Sequence, residues 1–123
     1  MNIDTNIVIA YLAKEQSVID FIENLKLSKI KLFISAIVEA ELTSHKDLNE
    51  KDLKLIRDFI SEYFVVIPID RYTLNSASYF RRSYPKLKSA DSCVLSVSKL
   101  YDLDLISRDA ELLKIKEVNS FKI

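Results

Sequence analysis

Glycine is missing altogether from these 123 residues, where an average chain carries about 7%. Loops that cradle phosphate through close backbone approach are therefore excluded. There is no G-x-x-x-x-G-K-[ST] loop, no G-x-G-x-x-G dinucleotide turn and no G-x-S-x-G nucleophile elbow. Phosphate chemistry, if present, must rest on side chains and a metal. The single cysteine, Cys93, rules out an internal disulfide and a cysteine-rich zinc site. It lies within an apolar helical pattern and reads as a small buried hydrophobe. The single histidine, His45, leaves little room for a Ser-His-Asp or Cys-His centre. It follows Glu41 by four residues, a spacing that could share a metal, but without a second histidine it reads as a helix-end or surface residue.

Net charge is also absent, because 18 basic residues balance 18 acidic ones. Bulk attraction to nucleic acid or anionic lipid is not expected from that balance. No apolar run approaches the roughly 20 residues of a membrane span, and the opening Met1-Asn2-Ile3-Asp4 shows no signal-peptide pattern. The expected location is the cytoplasm, without membrane attachment. Charge is nonetheless unevenly spread. Between Arg71 and Ala90 there are five basic residues (Arg71, Arg81, Arg82, Lys86 and Lys88) and no acidic one.

What is present is a core-forming chain, 49% apolar and 29% charged, with no linker or repeat. One domain over 1–123 is expected. Short β-compatible runs alternate with helical spacing. Met1–Ile3, Leu32–Ile34, Phe64–Ile67, Leu103–Ile106 and Ser120–Ile123 read as strands, the third as a buried type. Helices are expected after Asp4, from a Ser17 cap, after Ser35, over Glu50–Tyr63, from an Asp70 cap to about Tyr84, from a Ser89 cap, and after Asp109. Pro85 breaks the fifth. Strands separated by helices favour a parallel sheet with helices on both faces, a three-layer α/β/α sandwich. Strand order does not follow from periodicity.

Ligands of open parallel sheets bind outside the carboxyl ends of the strands. Asp4 directly follows the first strand and Asp109 closely follows the fourth. Glu41 stands about two helical turns past the second, and Asp91 is in the first turn of the helix leading to the fourth. Each has a plain structural reading: Asp4 and Asp109 as caps worth about 1 kcal/mol, Asp91 as a complement to the helix dipole. Glu41 is harder to dismiss. It shares the apolar face of Ile37 and Val38, whereas Glu39 is expected to turn to solvent. A carboxylate on a buried stripe needs donors or a cation. Four gathered carboxylates repel one another, and oxygen ligands without histidine or cysteine suit Mg²⁺ or Mn²⁺. Such a cation neutralises charge on a phosphate and acidifies a water.

Four segments carry a resemblance. Ile3-Asp4-Thr5-Asn6-Ile7-Val8-Ile9 resembles the opening motif of PIN-domain ribonucleases. Ile34 to Leu42 resembles their second motif, with its acidic residue falling on Glu41. Ala90-Asp91-Ser92 resembles the third, and Leu105-Ile106-Ser107-Arg108-Asp109 the fourth. The order and spacing cover almost the whole chain, although the glycines often found after the second motif and before the third are lacking. The resemblance implies a central parallel five-stranded sheet and Mg²⁺- or Mn²⁺-dependent endoribonuclease activity. It further implies that Asp4, Glu41, Asp91 and Asp109 hold the metal and attacking water while Asn6 and Ser107 orient carboxylates. Small members of the family are commonly the toxins of VapBC-type toxin–antitoxin pairs, which implies a small antitoxin partner and a homodimer. RNA is the implied substrate. In the Arg71–Ala90 segment aromatics interleave with cations; about half are expected to be core or solvated face, and Arg81, Arg82, Lys86 and Lys88 are the better RNA-binding candidates. Two other classes fit the layers. One is a PIN-like module that grips RNA or protein without cutting, which has no need of a repelling acidic cluster. The other is a phosphoacceptor domain, which would want an acidic pair after the first strand, where Asp4-Thr5-Asn6 offers one acid.

Overall fold

The computed structural model describes residues 1–123. In chain order the elements are β1 (Asn2–Ile3), α1 (Thr5–Leu12), α2 (Gln16–Leu27), β2 (Phe33–Ser35), α3 (Ala36–Thr43), α4 (Glu50–Tyr63), β3 (Val65–Ile67), α5 (Arg71–Ser83), α6 (Ser89–Tyr101), β4 (Leu105–Ile106), α7 (Ala110–Leu113) and β5 (Ser120–Phe121). The five strands form one parallel sheet in the order β3-β2-β1-β4-β5. Asn2 pairs with Phe33 on one side and Leu105 on the other, so β1 is the centre of the sheet. The chain runs outward from β1 through β2 to β3, and the later strands fill the opposite side. The order therefore reverses between β1 and β4, which is where a parallel sheet opens a ligand crevice.

One continuous core of 22 buried apolar side chains joins the sheet to its helices. Helix α6 packs on β1 and β2 while α5 lies against it, so α6 is buried continuously from Ser92 to Ser98. Its serines make that burial tolerable by bonding within the helix. Ser92 Oγ donates to the Ser89 carbonyl and Ser96 Oγ to the Ser92 carbonyl, each at 2.7 Å. Asn2 of β1 donates through Nδ2 to the Val94 carbonyl and to Ser98 Oγ, tying the central strand to this helix. Cys93 is buried in the same stretch, as a small hydrophobe should be. No helix is long and apolar enough to cross a membrane.

Several local expectations need correction. Helix α2 starts from Glu15 and α6 from Lys88, neither with a side-chain cap bond, so Ser17 and Ser89 lie inside the first turns. Each serine is engaged elsewhere: Ser17 Oγ donates to Glu15, and Ser89 Oγ accepts from Arg81. The third strand is not of a fully buried type. It is an edge strand, and Val65 is 50% exposed because nothing pairs beyond it. The fourth strand is shorter than Leu103–Ile106, because Asp102 in the left-handed region closes α6 and the chain needs two residues to reach the sheet. The Asp70 and Asp109 caps and the Glu50–Tyr63 helix are as the sequence indicates.

Three chain reversals show how the fold manages without glycine. Lys14, Lys29 and Asp102 have φ of 62°, 57° and 53°, the left-handed region where glycine usually sits. After α1, Glu15 N–H bonds back to the Ala10 carbonyl and Lys14 N–H to Tyr11. After α2, Ile30 N–H bonds to Leu25 and Lys29 N–H to Lys26 in the same pattern. The last-turn carbonyls are satisfied while each lysine bears the steric cost of its Cβ.

Candidate active site

The side chains at the carboxyl edge of the sheet are brought together by the pairing of β1 with β4. Asp4 leaves β1 and caps α1, its Oδ1 accepting from Thr5 N–H at 2.8 Å. Ser107 leaves β4 and donates through Oγ to Asp4 Oδ2 at 2.6 Å. Asn6 Nδ2 donates to the same Oδ2 at 3.2 Å, and Asn6 Oδ1 accepts from Arg108 N–H at 3.2 Å. Ser107 Oγ in turn accepts from Asp109 N–H at 3.0 Å. Asp109 Oδ1 caps α7 by accepting from the amides of Glu111 and Leu112. Asp4 and Asp109 are thus helix caps and members of one polar network at once.

Glu41 and Asp91 complete the rim. With Asp4 and Asp109 they line a cleft of about 230 Å³, together with Thr5, Asn6 and Ile9. Thr5 Oγ1 donates to Glu41 Oε1 at 3.3 Å, joining the second turn of α3 to the start of α1. Thr5 has no role in the sequence reading beyond its place in the first motif; its hydroxyl becomes significant only once α1 and α3 are adjacent. The position of Glu41 also differs from expectation. It is exposed, and Glu39 is the half-buried one. The buried line on α3 is Val38–Leu42. At about 100° per residue, both glutamates stand roughly 80° from its centre, on opposite shoulders. The shoulder of Glu41 is the one that borders the cleft.

The electrostatics match a confined set of like charges. Burial pushes the Asp4 carboxyl above its ordinary value and Asp109 adds to that, while hydrogen bonds from Ser107, Thr5 and Asn6 oppose it. Glu41 is raised by partial desolvation of its carboxyl, then by Asp4 and Asp91, against the Thr5 bond. Asp91 is raised by burial, then by Asp109 and Asp4, with Lys88 pulling the other way. Each of these three acids feels at least one other of the set of four. The carboxylates stand around the cleft and do not form a closed cage, as no three of them meet at metal-chelating spacing. The donor set is nonetheless all oxygen and mutually repelling, which is the chemistry a hard divalent cation relieves.

None of the four cationic candidates lines the carboxylate cleft. Arg81 is held by Ser89, its Nη1 donating to Oγ at 2.9 Å. Arg82 is exposed, Lys86 lines a separate cavity and Lys88 stands at the start of α6, near Asp91. Of the interleaved aromatics, Phe80 is core and Tyr84 half-buried, whereas Tyr72 and Tyr79 are exposed. Arg108 has a structural role that its sequence position alone does not reveal. It donates through Nη1 and Nη2 to Glu15 and through Nε to the Ile123 carbonyl at 2.9 Å, bracing the loop between Ser107 and Asp109. Its place between two motif residues is the only sequence signal for that role. His45 is exposed beyond the end of α3 and accepts from Asp47 N–H through Nδ1.

Several solved structures share this fold. The crystal structure of VapBC2 from Rickettsia felis bound to a promoter DNA fragment contains a chain similar at TM-score 0.82 and 17% identity, covering 99% of this chain and 97% of that one. A toxin–antitoxin complex from Klebsiella pneumoniae gives TM-score 0.80 and 24% identity, covering 99% and 98%. FitAcB from Neisseria gonorrhoeae gives 0.75 and 24%, covering 98% and 95%. No curated protein matches the sequence. The PIN domain family model matches residues 1–118. Sheet order, motif positions and family match agree: this chain belongs to the PIN domain family.

Proposed function

We propose that this protein is a Mg²⁺- or Mn²⁺-dependent endoribonuclease and the toxin of a toxin–antitoxin pair. Asp4, Glu41, Asp91 and Asp109 are its metal-holding and catalytic carboxylates. The observation that carries the reading is that these acids, from four separate segments, line one cleft where desolvation, partial at Glu41, and mutual repulsion raise three of them. A catalytically idle module has no use for such a destabilising cluster. When bound, the divalent cation supplies charge neutralisation at the phosphodiester and acidifies a water. The chain's own groups set the geometry. Ser107, Asn6 and the Thr5 amide fix both oxygens of Asp4, and Thr5 Oγ1 orients Glu41. RNA is the substrate class that the family resemblance implies, and the Arg71–Ala90 segment, which leads into Asp91 and carries cations without acids, suits a polyanion.

An antitoxin partner is supported by the similarity to a chain of the toxin–antitoxin complex from Klebsiella pneumoniae. A homodimer is supported by apolar side chains exposed on α5 and α6, among them Leu74, Tyr79, Leu100 and Tyr101. The test is incubation of wild type and Asp4→Asn with cellular RNAs and Mn²⁺, mapping new ends. Wild type should generate discrete ends, and Asp4→Asn should reduce them by at least about a hundredfold with its fold retained. Equal cleavage by both proteins would refute the site; RNA binding without cleavage by wild type would leave a binding module in its place.

A further inference from the structure

Arg108 is bonded on two sides. Its backbone N–H donates to Asn6 Oδ1 at 3.2 Å, and Asn6 Nδ2 donates on to Asp4 Oδ2, also at 3.2 Å. Its guanidinium donates through Nη1 and Nη2 to the two oxygens of Glu15, the first at 2.9 Å, and through Nε to the Ile123 carbonyl. Both chain neighbours belong to the site: Ser107 bonds to Asp4, and Asp109 lines the cleft. Glu15 is placed by the turn after α1, where Lys14 has positive φ and Glu15 N–H bonds back to the Ala10 carbonyl. As the residue that starts α2, Glu15 could cap that helix. Its carboxylate makes no cap bond and goes to Arg108 instead. The two side chains are 30% and 43% exposed, and an exposed ion pair adds little to stability. What the pair does supply is a planar, two-point grip on the loop that carries Asp109.

The geometry points to Arg108 and Glu15 as positioning residues for the metal: their pair clamps the 107–109 loop so that Asp4, reached through Asn6, and Asp109 offer their oxygens to one divalent cation. Neither residue lines the cleft, so the clamp sets metal affinity from outside it, as groups behind metal ligands commonly do. This assignment rests on the metal-dependent reading of the cleft and adds to it the pair that tunes it. Charge alone predicts the opposite sign. A guanidinium one residue before Asp109 repels a divalent cation, so a purely Coulombic role would have its removal tighten metal binding. Loss of a clamp loosens it.

The experiment titrates Mn²⁺ into the full chain, with free Mn²⁺ read by electron paramagnetic resonance. Arg108→Ala should weaken Mn²⁺ binding about tenfold, while its melting temperature without metal changes little. Arg108→Met, which keeps the aliphatic stem and its packing, should behave alike and serves if the alanine variant misfolds by circular dichroism. Arg108→Lys should recover part of the loss, because an ammonium reaches Glu15 without reproducing the fork. Glu15→Ala should weaken binding in the wild-type background and add nothing to Arg108→Ala. In RNA cleavage the Mn²⁺ concentration for half-maximal rate should rise in Arg108→Ala, with the rate at saturating Mn²⁺ close to wild type. Unchanged or tighter Mn²⁺ binding by the folded Arg108 variants would overturn the clamp alone. Wild type that binds no Mn²⁺ would instead sink the metal-dependent reading on which the clamp rests.

Discussion

Ser107 Oγ and Asp4 Oδ2 lie 2.6 Å apart, one residue past the ends of adjacent parallel strands. The serine hydroxyl donates to Asp4 and accepts from Asp109 N–H, so one fully buried oxygen relates two of the four cleft acids. Replacing it removes a donor from a buried carboxylate and an acceptor from an amide. Ser107→Ala should lower unfolding stability by about 1–3 kcal/mol, read as a shift in denaturant midpoint. Ser107→Thr should restore most of the loss, and a midpoint unmoved by Ser107→Ala would show that the bond does not hold the site together.

Raised carboxyl groups set the sign of a pH dependence. Asp4, Glu41 and Asp91 bind protons more readily folded than unfolded, so the native state carries the excess protons in the window between the two values. Stability from these groups is full below the unfolded carboxyl pKa, about 4, and is lost as pH rises through the higher folded values. Without divalent cations, Glu41→Gln and Asp91→Asn should therefore raise the melting temperature at pH 7 and raise it less near pH 4. Mg²⁺ should raise the wild-type melting temperature at pH 7 by binding the folded state, and raise it less in these variants. Variants that melt lower at pH 7 than at pH 4, relative to wild type, would show that the acids do not repel.

The left-handed lysines offer a stabilising change that sequence comparison by residue type would miss. Lys14→Gly and Lys29→Gly remove a Cβ from residues with positive φ and leave the helix-ending bonds in place. Each should gain about 1 kcal/mol, the usual left-handed penalty less the extra entropy of an unfolded glycine. Thermal melts of the two single variants and the pair should show nearly additive gains. A loss at both positions would contradict the assigned turns.

Arg108 fastens the loop between Ser107 and Asp109 to Glu15 and to the Ile123 carbonyl. Arg108→Ala should speed amide hydrogen exchange at Asp109 and Glu111, the loop's neighbours. Glu15→Ala should reproduce part of that effect and add little when combined with it. Exchange that stays as slow as in wild type would place the bracing elsewhere.

The alternation of apolar runs with helical spacing dictates the α/β class, because a strand period and a helix period cannot be confused where helices such as Glu50–Tyr63 keep phase over four turns. The junction acids are legible for the same reason: Asp4 and Asp109 immediately follow or shortly follow short apolar strands, and parallel sheets leave such positions at one edge. Cap identity at Ser17 and Ser89 was not legible, since a serine in a first turn and a serine at a cap look alike until backbone torsions and the competing bonds to Glu15 and Arg81 are known. Strand order, the exposed shoulder of Glu41, the Thr5–Glu41 bond and the bracing by Arg108 all depend on contacts between residues distant along the chain. Periodicity reports only which face of an element is apolar; which neighbour that face meets is decided by packing, and here packing alone put β1 beside β4.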